Sequence, residues 1–162
     1  MTAPDHTHDA LTVGPAELDD HAFLVACNQA MAWETEQRRL DPERLSNGVM
    51  AVLTDPAKGR YFVARRDGRA VAGLLITHEW SDWRNAQFWW IQSVYVVPEA
   101  RRGGAFRALY RQVESLAIAS GACALRLYVE RDNSRAQSTY SSLGMHQSHY
   151  QMFERTYIDT EV

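Results

Sequence analysis

The sequence predicts one mixed α/β (α+β) domain. Three observations carry that prediction. Apolar residues switch between a period of two and a period near 3.6 along the chain. The resulting order is strand, helix, helix, three strands, helix, strand, helix, strand, and no linker or internal repeat in the 162 residues is long enough to divide it. A chain of this length that is 46% apolar can bury a core without a disulfide or a structural metal.

The composition also excludes several classes. Lys and Arg total 17 against 20 Asp and Glu, a formal charge of −3, which argues against a non-specific nucleic-acid binder. The two cysteines, Cys27 and Cys123, form neither a C-x-x-C pair nor a zinc-finger spacing, and read as reduced thiols of a cytoplasmic protein. No apolar run approaches the roughly 18 residues that span a bilayer, and Met1 to Ala10 lacks the basic start and apolar centre of a signal peptide. Residues 1–10 read as a loose arm and residues 11–162 as the single domain. His6 and His8 supply two metal ligands with no third nearby, so no metal is expected.

Leu11 to Val13 starts the first strand. From Pro15, Leu18, Ala22, Val25, Ala26 and Gln29 recur at helical spacing to about Trp33, and the acidic stretch Glu34 to Asp41 connects onward. Asp41 and Pro42 cap and open a second helix, with Leu45, Val49, Val52 and Leu53 on one face and Asp55-Pro56 as its stop. Tyr61 to Ala64, the Asp67-Gly68 turn and Val71 to Thr77 form a hairpin. Ser81 to Asn85 links it to a third antiparallel strand, Phe88 to Val97, which Pro98 ends. Phe106, Leu109, Tyr110, Val113, Leu116 and Ala117 define the next helix, closed by Gly121. Leu125 to Val129 is a strand, Ser134 to Leu143 a helix ended by Gly144, and His149 to Arg155 a final strand.

The segment richest in chemistry joins Val94-Tyr95-Val96-Val97-Pro98 to Arg101-Arg102-Gly103-Gly104 and then to Ala105-Phe106-Arg107. A strand enters a turn of two arginines and two glycines, and the turn opens into a helix whose first amides have no intrahelical acceptor. Amides, helix dipole and guanidinium groups together suit a phosphate or pyrophosphate. Glycines that merely ease a tight turn beside solvated arginines are the competing reading. The segment has neither G-x-G-x-x-G nor G-K-[ST], so a nicotinamide cofactor or nucleoside triphosphate is not indicated.

This segment resembles the acyl-CoA loop of the GNAT superfamily of N-acetyltransferases, [QR]-x-x-G-x-[GA], with Arg101 at the first position and Gly104 at the fourth. Phe106 stands where the family has a small residue. Leu127 to Met145 is similar to the family's later signature, a strand, an Asn, a short helix with a Tyr, and Leu-Gly; here these are Asn133, Tyr140 and Leu143-Gly144. Seven residues separate Asn133 from Tyr140, close to two helical turns, so both can face one groove. Without that resemblance, Asn133 would read as a helix cap and Tyr140 as a core aromatic.

The resemblance implies a mostly antiparallel central sheet flanked by helices, with a splay between the fourth and fifth strands that takes the pantetheine arm. It implies acetyl-CoA as acyl donor, held by main-chain groups of Val94 and Val96, by the loop from Arg101 to Arg107 and by Asn133. Tyr140 would protonate the departing thiolate. A small-molecule amine would attack directly, since no Cys or Ser has a nucleophile setting. An alkylamine must first lose a proton, and Gln92 stands where many members carry a Glu. Glu79 and Glu130 are then the candidate bases, with a water chain or no base as alternatives. Trp33, Glu34, Glu36, Trp80 and Trp83 are candidates for an acceptor wall, because aromatics with carboxylates suit a cationic amine. A homodimer is left open. The competing function is a CoA-binding sensor of the same fold without turnover.

Overall fold

The computed structural model describes residues 10–158, and His6 and His8 lie outside them. Its sheet runs in the order β1 (Leu11–Pro15), β2 (Arg60–Arg66), β3 (Arg69–Ser81), β4 (Ala86–Val96), β5 (Ala124–Arg126). Sequence neighbours are thus sheet neighbours. The first three pairings are antiparallel and β4–β5 is parallel.

On one face lie α1 (His21–Glu36) and α2 (Pro42–Thr54). Leu24 and Val49 from these helices meet Tyr61 and Val63 there. Asp41 caps α2 by accepting the Arg44 amide at 2.9 Å, ahead of Pro42. On the other face, Leu109, Tyr110 and Val113 of α3 (Ala105–Ala119) pack on Phe62, Leu74 and Ile76. Gly73 lets α1 approach closely: a Cβ there would stand 2.8 Å from Leu24 Cδ2.

Two features of β4 position the site. Leu75 pairs with Ser93 but Ile76 with Ile91, so Gln92 is a bulge residue and the side chains change face across it. Pairing with β5 covers only Phe88 to Trp90 against Ala124 to Arg126. Beyond Trp90 and Arg126 the strands part, leaving a V between them.

Several boundaries differ from the sequence reading. The first helix starts at His21, because a 3-10 turn (Leu18–Asp20) precedes it, and runs to Glu36, so Glu34 is helical. The fifth strand stops at Arg126 instead of Val129, since β4 has turned away and offers no further hydrogen bonds. The final strand over His149 to Arg155 is absent: these residues are exposed and pair with no strand among the described residues. The helix α4 (Ser134–Ser142) is present.

Candidate active site

The V and the turn that comes after β4 form one continuous feature. After a 3-10 turn over Pro98–Ala100, Arg102 and Gly104 take positive φ, 64° and 82°, and Ala105 begins α3. The Ala108 amide bonds to Gly104 O at 2.9 Å, so helix geometry leaves the amides of Ala105, Phe106 and Arg107 open at the turn. A Cβ on Gly104 would meet nothing within 4 Å, so the approach to these amides is clear. Arg102 and Arg107 are exposed beside it. The residues therefore fit a diphosphate. Arg66 braces the turn from behind: Nη2 donates to Gly103 O at 2.8 Å, and a Cβ on Gly103 would collide with its guanidinium.

The main chain of β4 borders the V at Val94 and Val96. The Val97 amide donates to Val71 O at 3.0 Å, toward β3. By alternation, the polar groups of Val94 and Val96 turn the other way, into the V. One of them is already engaged, because Arg101 Nε donates to Val96 O at 3.1 Å.

Arg101 is turned toward α1. Its Nη2 donates to Glu34 Oε2 at 2.7 Å, its guanidinium lies 5.4 Å from the Tyr95 ring centroid, and Tyr95 OH donates to Glu34 Oε1 at 2.6 Å. The Tyr95 bond foremost, and then Arg101, hold the Glu34 carboxyl below its usual range. Burial, reinforced by that carboxylate, pushes Tyr95 up to about 12. Glu34, a candidate acceptor contact, is thus a strut between α1 and the turn.

Phe106 does not cover the turn. Its ring lies 6.3 Å from Tyr110 and 6.0 Å from Tyr140, wedged between α3 and α4. Tyr140 is half-buried, and burial raises its hydroxyl pKa. That hydroxyl has no hydrogen-bond partner among the described residues. Asn133 caps α4 by accepting the Ala136 amide at 3.1 Å, the reading that needed no ligand.

At the apex of the V, on the face of α1 and α2, Glu79 accepts from Trp90 Nε1 at 2.6 Å and Arg126 Nη1 at 3.3 Å. Arg126 also lies 3.4 Å from the Phe88 ring centroid, and the Tyr128 ring stands 6.3 Å from Trp90. Gln92 Nε2 donates to Thr77 Oγ1 at 2.7 Å on the same face. Glu130 is exposed on the turn into α4.

The predicted acceptor wall is not brought together. Trp80 pairs with Gln87 near the far end of the β3–β4 hairpin, whereas Glu34 contacts Tyr95, roughly 25 Å further along β4. Trp83 is 87% exposed at the hairpin tip. Trp33 lies under Arg39 at 5.3 Å, and Glu36 pairs with Arg38 at 3.4 Å. Sequence reasoning did not single out Arg66, Tyr95, Arg126 or Tyr128, which the structure places around the V and the turn. Arg126 and Tyr128 carried a signal, their alternation with Leu125 and Leu127; Tyr95 carried none, since its partner is 61 positions away. Among the described residues no cluster of His, Cys, Asp or Glu could hold a metal ion, and no helix is long and apolar enough to cross a membrane.

A mixed, mostly antiparallel sheet split between a bulged β4 and a parallel β5, with open amides at the mouth of the split, is the architecture of the acetyltransferase fold. The sequence profile described as the Acetyltransferase (GNAT) family matches residues 16–145, and the chain belongs to that family, which uses acetyl-CoA as acyl donor. A crystal structure of a possible acetyltransferase from Clostridium difficile 630 is similar with a TM-score of 0.86 and 40% identity, over 92% of this chain and 99% of that one. The mycothiol acetyltransferase of Tsukamurella paurometabola is 33% identical over 91% of this chain and 52% of its own. This chain therefore spans about half the length of that relative. An uncharacterized N-acetyltransferase of Mycobacterium bovis is 31% identical over 75% of this chain and 74% of its own.

Proposed function

We propose that this chain transfers the acetyl group of acetyl-CoA to a primary amine of a small molecule, by direct attack within a ternary complex. The V carries this reading: it ends at one side in open helix amides and at the other in a carboxylate set among aromatic rings. The amides of Ala105 to Arg107, with Gly103, Gly104, Arg102 and the Arg107 side chain, would hold the diphosphate. The main-chain groups of Val94 and the Val96 amide would align the pantetheine arm, and an N–H among them would stabilise the oxyanion. Asn133 positions α4, and with it Tyr140, whose phenol carries its proton at neutral pH and would give it to the leaving thiolate. Glu79 at the apex is the favoured base, acting on the ammonium of the acceptor directly or through water, while Glu130 points into solvent from the α4 turn.

The acceptor would sit against Trp90 and Tyr128, where a flat aromatic wall and Glu79 suit a cationic amine. The activity named for the relatives from Tsukamurella paurometabola and Corynebacterium aurimucosum, mycothiol acetyltransferase, supports a small-molecule acceptor. An enzyme fed by acetyl-CoA is expected to work in the cytoplasm. A CoA-binding sensor without turnover is the second reading, favoured by Gln92, which occupies the bulge and is bonded to Thr77 where it can take no proton. Thiol release from acetyl-CoA across a panel of amines decides between them. Amine-dependent release supports the enzyme; tight CoA binding with no release under any amine supports the sensor.

A further inference from the structure

The apex of the V carries more positive charge than an amine acceptor alone calls for. Beside Glu79 stand two guanidinium groups: Arg126 lies 3.4 Å from the Phe88 ring centroid, and Arg84 lies 5.1 Å from the same centroid. Among the described residues Glu79 is the only carboxylate paired with either of them, at 3.3 Å from Arg126 Nη1. Two guanidinium groups and one carboxylate leave a net positive charge. A plain alkylammonium drawn to Glu79 therefore meets like charges beside it, and their repulsion offsets the attraction.

Arg126 is also under-used where it stands. A guanidinium is a planar fork of N–H donors. Here a single Nη1 contact, long for a charged pair, is its hydrogen bond among the described residues. Glu79 accepts its short bond, at 2.6 Å, from Trp90 Nε1 instead. The guanidinium is nonetheless held in place, because Phe88, 5% exposed, sets a fixed ring against it and the Trp90 ring lies 5.8 Å away. Its side chain stays 31% exposed. A strut is a poor account of this group, since a part-exposed ion pair adds little stability. A preset fork with Nε and Nη2 unbonded among the described residues suits a second, planar anion.

We propose that the acceptor is an α-amino acid, or a molecule ending in one, whose carboxylate pairs with Arg126 while its amine stays at Glu79. This rests on the acceptor lying against Glu79, Trp90 and Tyr128, and adds the second charge it must carry. In an α-amino acid the two charged groups share one carbon. Glu79 and Arg126 are likewise in contact, so one ligand bridges both. The ligand carboxylate takes the unused Nε and Nη2 of Arg126 as a two-pronged pair. A zwitterion also leaves the net charge of the apex unchanged, so no charge is left uncompensated there. Its side chain runs along Trp90 and Tyr128, whose ring centroids are 6.3 Å apart.

Calorimetry on the full chain loaded with CoA tests this. Phenylalanine, tryptophan and methionine are each titrated beside the corresponding carboxamide, which keeps the shape and the amine and removes the anion. The free acids should bind the wild type about 10- to 100-fold more tightly than the carboxamides. Arg126→Met keeps an apolar stem over Phe88 and removes the fork, so acid and carboxamide should bind alike. Arg126→Lys, a charge without a fork, should retain part of the preference. The wild-type comparison stands even where a variant fails to fold. Equal binding of acids and carboxamides by the wild type overturns the proposal, as does failure of all three acids to bind, or a preference that survives Arg126→Met. Thiol release from acetyl-CoA, measured in parallel, tests acetyl transfer separately. Acids that bind through Arg126 and release no thiol would defeat transfer and leave carboxylate recognition standing. Release with carboxamides, without a preference for the acids, would do the reverse.

Discussion

The Glu34 carboxylate accepts hydrogen bonds from Tyr95 at 2.6 Å and Arg101 at 2.7 Å, tying the last turn of α1 to the turn that opens α3. Both partners are part-exposed, at 39% and 41% for the ion pair, so the tie is worth about 0.5–1 kcal/mol. Glu34→Gln should therefore weaken CoA binding by about 2- to 5-fold, read by calorimetry, through a looser turn. The lowered Glu34 pKa gives the pH dependence its sign. Its contribution is present above the unfolded carboxyl pKa and is lost as pH falls through the lower folded value. The difference in Tm between wild type and variant should thus close on acidification below the usual carboxyl range. A difference that persists in acid would show that Glu34 acts by packing alone.

Gly104 combines a φ of 82° with open space around its Cα. Gly104→Asn and Gly104→Asp are near-isosteric and both tolerate that backbone, so they separate shape from charge. A carboxylate about 4 Å from a diphosphate costs about 4 kcal/mol at the effective dielectric of a protein surface. Gly104→Asp should lose CoA binding by roughly 10²-fold or more, and Gly104→Asn by far less. Equal binding by the two would place the diphosphate elsewhere.

Tyr140 is half-buried with its hydroxyl unbonded among the described residues, beside the ring of Phe106. Tyr140→Phe keeps that packing and removes the proton. Turnover should fall by roughly 10²-fold with CoA affinity little changed, which separate kcat and Kd measurements reveal. Unaltered kcat would end the case for Tyr140 as the acid.

Glu79 and Glu130 are distinguished by position. Only Glu79 sits at the apex, bonded to Trp90 and Arg126. Glu79→Gln retains the Trp90 bond but cannot accept a proton, so kcat/KM should fall at neutral pH and recover as pH approaches the pKa of the amine. Glu130→Gln should leave the profile unchanged. The reverse pattern would reassign the base.

The parts of the fold that were legible in the sequence are those set by local chemistry. Asp41-Pro42, Asp67-Gly68, Pro98 and Gly121 punctuate elements through their own backbone preferences, and the structure places ends where they stand. The splay and the turn entered through the resemblance around Arg101 and Gly104. What was not legible depends on partners distant in sequence. Glu34 read as an acceptor contact because Tyr95 and Arg101, its partners, lie more than sixty positions away. Leu127 to Val129 and His149 to Arg155 have strand composition, but a strand also needs a paired edge, and among the described residues neither segment is bonded to one. Trp80 and Trp83 read as neighbours of Trp33 because aromatic content says nothing about which end of a long hairpin holds it.

Gly73 offers a test of how α1 is seated, and with it Glu34. A Cβ at this position would sit 2.8 Å from Leu24 Cδ2, and Leu24 is 1% exposed. Gly73→Ala adds one methyl to a filled contact, which costs about 1–3 kcal/mol where the neighbour cannot move. Leu24→Ala alone costs about 2–5 kcal/mol by emptying the same space. In the double variant the new methyl occupies part of the void, so the two losses should not add. Denaturant unfolding of all four proteins should give a coupling of about 0.5–3 kcal/mol in favour of the double variant. Because Glu34 stands in the last turn of α1, Gly73→Ala should also loosen CoA binding, and Leu24→Ala in the same chain should restore part of it. Strictly additive losses would mean that α1 shifts freely on β3 and that the strut at Glu34 does not depend on this contact.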